Sequence, residues 1–201
     1  MQLRPTRTGK FHFRATLCLM TALMLLSMSG VLTVGGETLS PEMRLNNYRK
    51  RVGRAFIKEK AAQAGAVTLP SGLVFQRLAR GSGKRAAAVD DECEVHYTGK
   101  LRDGTVFDSS RERGKSISFR PSGVIKGWAE ALQLMCEGDR WRLFIPHELG
   151  YGEAGAGKSI PPFSPLEFDV ELIRIKGGGT GRTAEEVDKI LREVEGDRGD
   201  M

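Results

Sequence analysis

Metal chemistry has little to work with in this chain. Its 201 residues include three cysteines and three histidines, and one of each, Cys18 and His12, falls within the first 36 positions. Cys93, Cys136, His96 and His147 remain without forming a His/Cys ligand cluster, which argues against a zinc site. His147-Glu148 opens like the zinc-protease signature, but Tyr151 stands where its second histidine belongs. No serine occupies a Gly-x-Ser-x-Gly elbow, and nothing in the sequence pairs two acids. No Asn-x-Ser/Thr occurs, so N-glycosylation is not expected. The chain offers no nucleophile, no metal site and no cofactor cradle.

Acid is missing from the first 36 residues, which hold Arg4, Arg7, Lys10 and Arg14. That segment supplies most of the net charge of +6; the remainder carries 27 basic against 25 acidic residues, or +2. With no basic footprint left, nucleic acid is not an expected partner. The basic start leads into an uncharged run, rich in Leu and Met, from Ala15 to about Val34. With Ser27, Ser29 and Gly30 near its end, it reads as a secretory signal over residues 1–29, with Gly36 as a later cleavage position. Left uncut, a run of about 20 residues is long enough to anchor in a bilayer. The basic flank puts the rest on the non-cytoplasmic side in both cases, so the expected location is secreted or otherwise extracytoplasmic. Two cysteines in an exported protein can pair. The other reading of Cys93, mid-strand among apolar neighbours, is a buried free thiol.

Ser40-Pro41-Glu42 combines a capping residue, a first-turn proline and a first-turn acid, and so starts a helix. Leu45, Tyr48, Val52 and Phe56 follow at helical spacing among Arg and Lys, and Gly65 ends the segment. The prediction is a basic helix over 40–65, roughly 35 Å long, with one packed stripe and a solvated charged face. Extended patterns begin at Val67. Leu73 to Leu78 reads as a strand, and Cys93, Val95 and Tyr97 alternate with Glu92, Glu94, His96 and Thr98. Asp103-Gly104 turns the chain into Val106-Phe107-Asp108, and Ser116-Ile117-Ser118-Phe119 alternates again. Trp128, Ala131, Leu132 and Met135 have helical spacing; strands follow around Trp141 to Ile145 and Leu166 to Leu172. The expected fold over 67–176 is α+β, an antiparallel sheet of about five strands wrapped around one short α-helix and preceded by the N-terminal helix. Residues 177–201 read as a Gly-rich linker and flexible tail, with a weak helical stripe at Val187, Ile190, Leu191 and Val194.

Two phosphate-binding formulas match the loop from Gly150 to Pro162, one through Gly152, Gly157, Lys158 and Ser159, the other through Gly150, Gly152 and Gly155. Both need a helix immediately after the loop, and Ile160-Pro161-Pro162 stops one from forming. What remains is aromatic. Tyr97, Phe107, Trp128, Tyr151 and Phe168 each lie on a different element, with Asp108 among them and Arg113 five residues on. They read either as core with a turn aspartate, or as an apolar dish with polar handles.

Six segments carry a resemblance. Val95-His96-Tyr97-Thr98-Gly99, Asp103-Gly104-x-x-Phe107-Asp108-Ser109-Ser110, Val124-Ile125-Lys126-Gly127-Trp128, Leu149-Gly150-Tyr151-Gly152, Ile160-Pro161-Pro162 and Leu166-x-Phe168-Asp169-Val170-Glu171-Leu172 stand in order. Together they resemble the FK506-binding-protein (FKBP) family of peptidyl-prolyl cis-trans isomerases. The leader, the basic helix and residues Glu130 to Met135 resemble its macrophage infectivity potentiator branch. The resemblance implies a pocket of Tyr97, Phe107, Asp108, Val124, Ile125, Trp128, Tyr151, Ile160 and Phe168, with Arg113 pairing with Asp108. Ile117 stands where many members carry an aromatic wall, and Ala156 where some carry a histidine, which bears on substrate preference.

That resemblance implies rotation about X-Pro bonds in exported or extracellular polypeptides, without any cofactor. Asp108, Tyr151, Phe107 and Trp128 are the expected catalytic residues. Tyr97, Val124, Ile125, Ile160, Phe168 and Arg113 are expected to bind substrate. Asp108 acts either on the rotating carbonyl or only as a scaffold through Arg113. Proline-containing polypeptides and the macrolides tacrolimus and rapamycin are the implied partners; membrane is one only if the leader stays. A monomer is expected, because the helix is too short for the dimerising stalk of bacterial relatives. The competing reading is a secreted proline-motif binding module or chaperone with little turnover.

Overall fold

The computed structural model describes residues 33–34 and 37–196. The expected signal over residues 1–29, its cleavage positions and residues 197–201 lie outside that span. The described chain divides into two compact units between Arg44 and Leu45. In the first, β1 (Thr33–Val34) and β2 (Glu37–Thr38) form a small hairpin. Helix α1 (Pro41–Ala61) starts at the end of that unit, capped by Ser40, whose Oγ accepts the Met43 N–H at 3.1 Å, and from Leu45 on it belongs to the second. No helix among the described residues is long and apolar enough to cross a membrane.

The second unit is built on an antiparallel seven-stranded sheet: β3 (Ala66–Thr68), β4 (Val74–Ala79), β5 (Glu92–Leu101), β6 (Val106–Ser109), β7 (Ile117–Phe119), β8 (Arg140–Ile145) and β9 (Leu166–Lys176). The order is β3-β4-β8-β9-β5-β6, with β7 also on β5. The sheet has seven strands where about five were expected, for local reasons. Ala66–Thr68 folds back on β4 through a tight turn closed by the Leu69 N–H to the Leu73 carbonyl at 2.8 Å. On the side of β5 away from β9, two short strands share one edge: β6 pairs near Gly99 and β7 near Val95.

Strict alternation on β5 and β9 sends Cys93, Val95, Tyr97, Leu166, Phe168, Val170 and Leu172 into one core. Helix α2 (Lys126–Leu132) fills the concave side, burying Gly127, Trp128, Ala131 and Leu132. Its approach depends on Gly127: a Cβ there would lie 2.7 Å from Ile145 Cγ2. Cys93 and Cys136 are both buried free thiols.

Two expectations change. Of the expected stripe on α1, Phe56 is packed, but its neighbours in the packed line are Gly53, Ile57 and Ala61 rather than Leu45 and Tyr48. The partner explains it: Phe144 points out of β8 away from the main core, and Phe56 meets it edge-on at 6.1 Å, while Leu45 and Tyr48 stay exposed. The C-terminal segment is also no flexible tail over its described length. It forms α3 (Ala184–Gly196), opened by a capping box in which Glu186 accepts the Thr183 N–H at 2.7 Å and Thr183 Oγ1 accepts the Glu186 N–H at 3.2 Å. Val187 and Leu191 are buried in the main core. The glycine linker before it is pinned at Asp91, which takes the Arg85 guanidinium at 2.6 Å and the N–H groups of Ala88 and Gly179 at 2.9 and 3.2 Å.

Candidate active site

Trp128 enters through the first turn of α2. Ile125 caps that turn at φ −58° and ψ 149°, close to polyproline II, and its carbonyl accepts the N–H groups of Trp128 and Ala129, both at 3.0 Å. The Ile125 N–H itself has no partner among the described residues. Around the indole stand three rings from three strands, all nearly perpendicular to it: Tyr97 at 5.2 Å, Phe168 at 5.2 Å and Phe119 at 5.6 Å. Edge-to-face pairs of this kind are worth about 0.5–1.5 kcal/mol each beyond the area they bury. Trp128 Nε1 has no hydrogen-bond partner among the described residues, and packing holds the ring. Phe107 completes the wall, meeting Phe168 at 5.5 Å and 88°.

Phe107 and Phe168 can meet there because β5 carries no side chain between them. A Cβ on Gly99 would fall 2.7 Å from both rings. Sequence reading missed two members of this cluster, Phe119 and Gly99. The signals were present: Phe119 shares a strand face with Ile117, and a glycine in mid-strand marks a close approach.

Asp108 follows Phe107 on β6 and faces the rim. It accepts hydrogen bonds from the Tyr97 hydroxyl and from Arg113, whose guanidinium also donates to Tyr97 Oη at 3.2 Å. Ser110 fixes this register, since its Oγ accepts the Tyr97 N–H at 2.8 Å and its N–H donates to the Tyr97 carbonyl at 3.0 Å. Burial works against the Asp108 carboxylate, but the Tyr97 and Arg113 contacts outweigh it and hold its carboxyl below the ordinary aspartate range. On Tyr97, burial and the neighbouring carboxylate push the phenol upward, so it remains a donor at neutral pH.

Val124, Ile125 and Ile160 pack into the same core cluster as Tyr97, Trp128 and Phe168. Ile160 is placed by a bridge with Ala156, with N–H···O distances of 2.9 and 3.1 Å. No helix follows this glycine-rich loop; Gly152, Gly155 and Gly157 all have positive φ, and the chain turns back on itself. Tyr151 stands apart from the rings. It lies just past the short 3₁₀ turn His147–Leu149 and is 39% exposed, without a side-chain partner among the described residues. Nine of the ten expected residues thus join through rings, hydrogen bonds or the core cluster, and Tyr151 joins only through its loop.

The profile of FKBP-type peptidyl-prolyl cis-trans isomerases matches residues 83–173. A Trypanosoma cruzi protein named macrophage infectivity potentiator is 70% identical over 191 residues, covering 95% of this chain and 97% of that one. The chain belongs to the FKBP-type peptidyl-prolyl cis-trans isomerases. Legionella longbeachae has a relative named outer membrane protein MIP, 43% identical over 127 residues; the match covers 63% of this isomerase and 54% of that protein. Among solved structures, the isomerase of Pseudomonas syringae superposes with a TM-score of 0.62 at 36% identity, over 70% of this chain and all of that one. The protein is an enzyme that accelerates cis-trans exchange at X-Pro bonds, and its family binds proline-containing polypeptides and macrolides.

Proposed function

We propose that Trp128 floors the proline ring of an exported polypeptide while Tyr97, Phe107, Phe119 and Phe168 wall it from water. An X-Pro amide rotates over a barrier of about 18–20 kcal/mol and takes tens to hundreds of seconds unaided. The planar amide is strongly dipolar through resonance, and the twisted form is less so. A dry aromatic surround therefore favours the twisted form over the planar one more than water does. No bond breaks, so neither a nucleophile nor a base is required.

Orientation comes from two donors at the rim. The free Ile125 N–H and the Tyr151 hydroxyl hold substrate carbonyls on either side of the rotating bond. Asp108 remains ionised beside Arg113 and presents negative charge toward the rotated carbonyl carbon. The set of rings perpendicular to the indole carries this reading, because it gathers aromatic side chains from separate strands around one indole. We further propose that the chain acts as a monomer outside the cytoplasm, on polypeptides in transit or already exported.

The test is a proline-limited refolding reaction timed with Asp108→Leu and Tyr151→Phe enzymes. Each substitution is expected to lower kcat/KM by about tenfold, the loss of one oriented polar contact in the transition state. Unchanged rates in both remove these roles. Binding of a proline peptide without faster exchange, in the unsubstituted enzyme, favours the binding-module reading instead.

A further inference from the structure

Tyr151 rides on a loop whose support comes largely from elsewhere. The His147 carbonyl accepts the N–H groups of Gly150 at 3.0 Å and Gly152 at 2.8 Å, so one oxygen brackets the tyrosine on both sides. The Gly152 carbonyl accepts the Phe163 N–H at 3.0 Å, and the Phe163 ring meets the His147 ring edge-on at 5.2 Å. Phe163 is the one non-glycine residue with positive φ among the described residues, at 59°. A bulky side chain stays in that conformation only where its surroundings hold it.

Part of that hold comes from α1. Lys50 Nζ lies 4.4 Å from the Phe163 ring centroid and 3.4 Å from Glu153 Oε1, two residues past Tyr151. One ammonium thus ties two parts of the tyrosine loop together: Glu153, just past the tyrosine, through charge, and Phe163, bonded to Gly152, through the face of its ring. No other cation makes either contact among the described residues. We propose that Lys50 is a positioning residue of this isomerase, through which the basic helix sets the place of the Tyr151 hydroxyl. The inference rests on the role given to Tyr151 above. It makes α1 part of the enzyme rather than a spacer ahead of it.

The experiment compares Lys50→Met, which keeps the stem and loses the charge, with Lys50→Arg, alone and combined with Tyr151→Phe. Exchange in a proline peptide is followed on the full chain, with thermal unfolding as a check on folding. Lys50→Met is expected to lower kcat/KM about threefold at low ionic strength, mostly in kcat, and Lys50→Arg to retain the rate. The gap narrows in about 0.5 M salt, where the ion pair is screened. In the Tyr151→Phe background Lys50→Met costs nothing further. A silent Lys50→Met in a folded protein, or a full additive loss on top of Tyr151→Phe, overturns the proposal. A silent Tyr151→Phe instead removes the reading of Tyr151 on which it depends.

Discussion

Replacing Gly99 by alanine adds one methyl group at the point where Phe107 and Phe168 close over β5. That methyl would sit 2.7 Å from Phe107 Cζ and from Phe168 Cε1, and 2.8 Å from Phe107 Cε2. Ordinary carbon contacts begin near 3.5 Å, so each ring has to retreat by about 0.8 Å. Phe168 has nowhere to go: it is 4% exposed, with Trp128 at 5.2 Å and Tyr97 at 6.3 Å. Phe107, half-buried on the short strand β6, moves instead and spoils the wall. The sign of the stability change is diagnostic. With open space, alanine stabilises a strand by roughly 0.5–1 kcal/mol over glycine; overpacking costs about 1–3 kcal/mol. The expected net is a loss of about 1–2 kcal/mol, read as a fall of roughly 2–8 °C in Tm. Displacing a wall by most of an ångström is expected to slow exchange between tenfold and on the order of a hundredfold. Calorimetry and peptide exchange by NMR measure both. A Gly99→Ala enzyme as active as its parent and no less stable would refute the claim that the two phenylalanines depend on this gap.

With the Tyr97 hydroxyl, Arg113 holds Asp108 below its ordinary range; Arg113→Ala leaves only the hydroxyl, so the carboxylate should begin to protonate at a higher pH than in the parent. Parent activity should stay flat from about pH 8 down to about pH 5, while the rate of the Arg113→Ala enzyme starts to fall earlier on acidification. Cys93 and Cys136 should resist iodoacetamide at pH 8 in the folded protein and both react in denaturant, because burial pushes each thiol up to about 11; loss of both thiols without reductant would restore the disulfide reading. Asp91→Ala should cost about 2–3 kcal/mol and speed amide exchange at Val187 and Leu191, since it frees the linker ahead of α3. Burial opposes the Asp91 carboxylate, but Arg85 and two backbone N–H groups hold its carboxyl below the ordinary range. Its contribution is therefore present above the unfolded aspartate pKa and is lost as pH falls through the depressed folded value.

Alternation and turn chemistry, which are local, were written in the chain itself. Cys93, Val95 and Tyr97 against their charged neighbours fixed which face of β5 is buried. The prolines after Ile160 forbid the helix a phosphate loop needs, and the six linked motifs point to the family. Contact between distant segments was decided only by tertiary structure, because period and propensity carry no information about which elements face each other. That is why Phe119 escaped notice, why α1 packs along Gly53 and Phe56 instead of Leu45 and Tyr48, and why residues 184–196 dock as a helix rather than trail away. The pocket belongs to both levels: its residue types are legible along the chain, while its depth depends on an empty position at Gly99 and on rings from five elements arriving together.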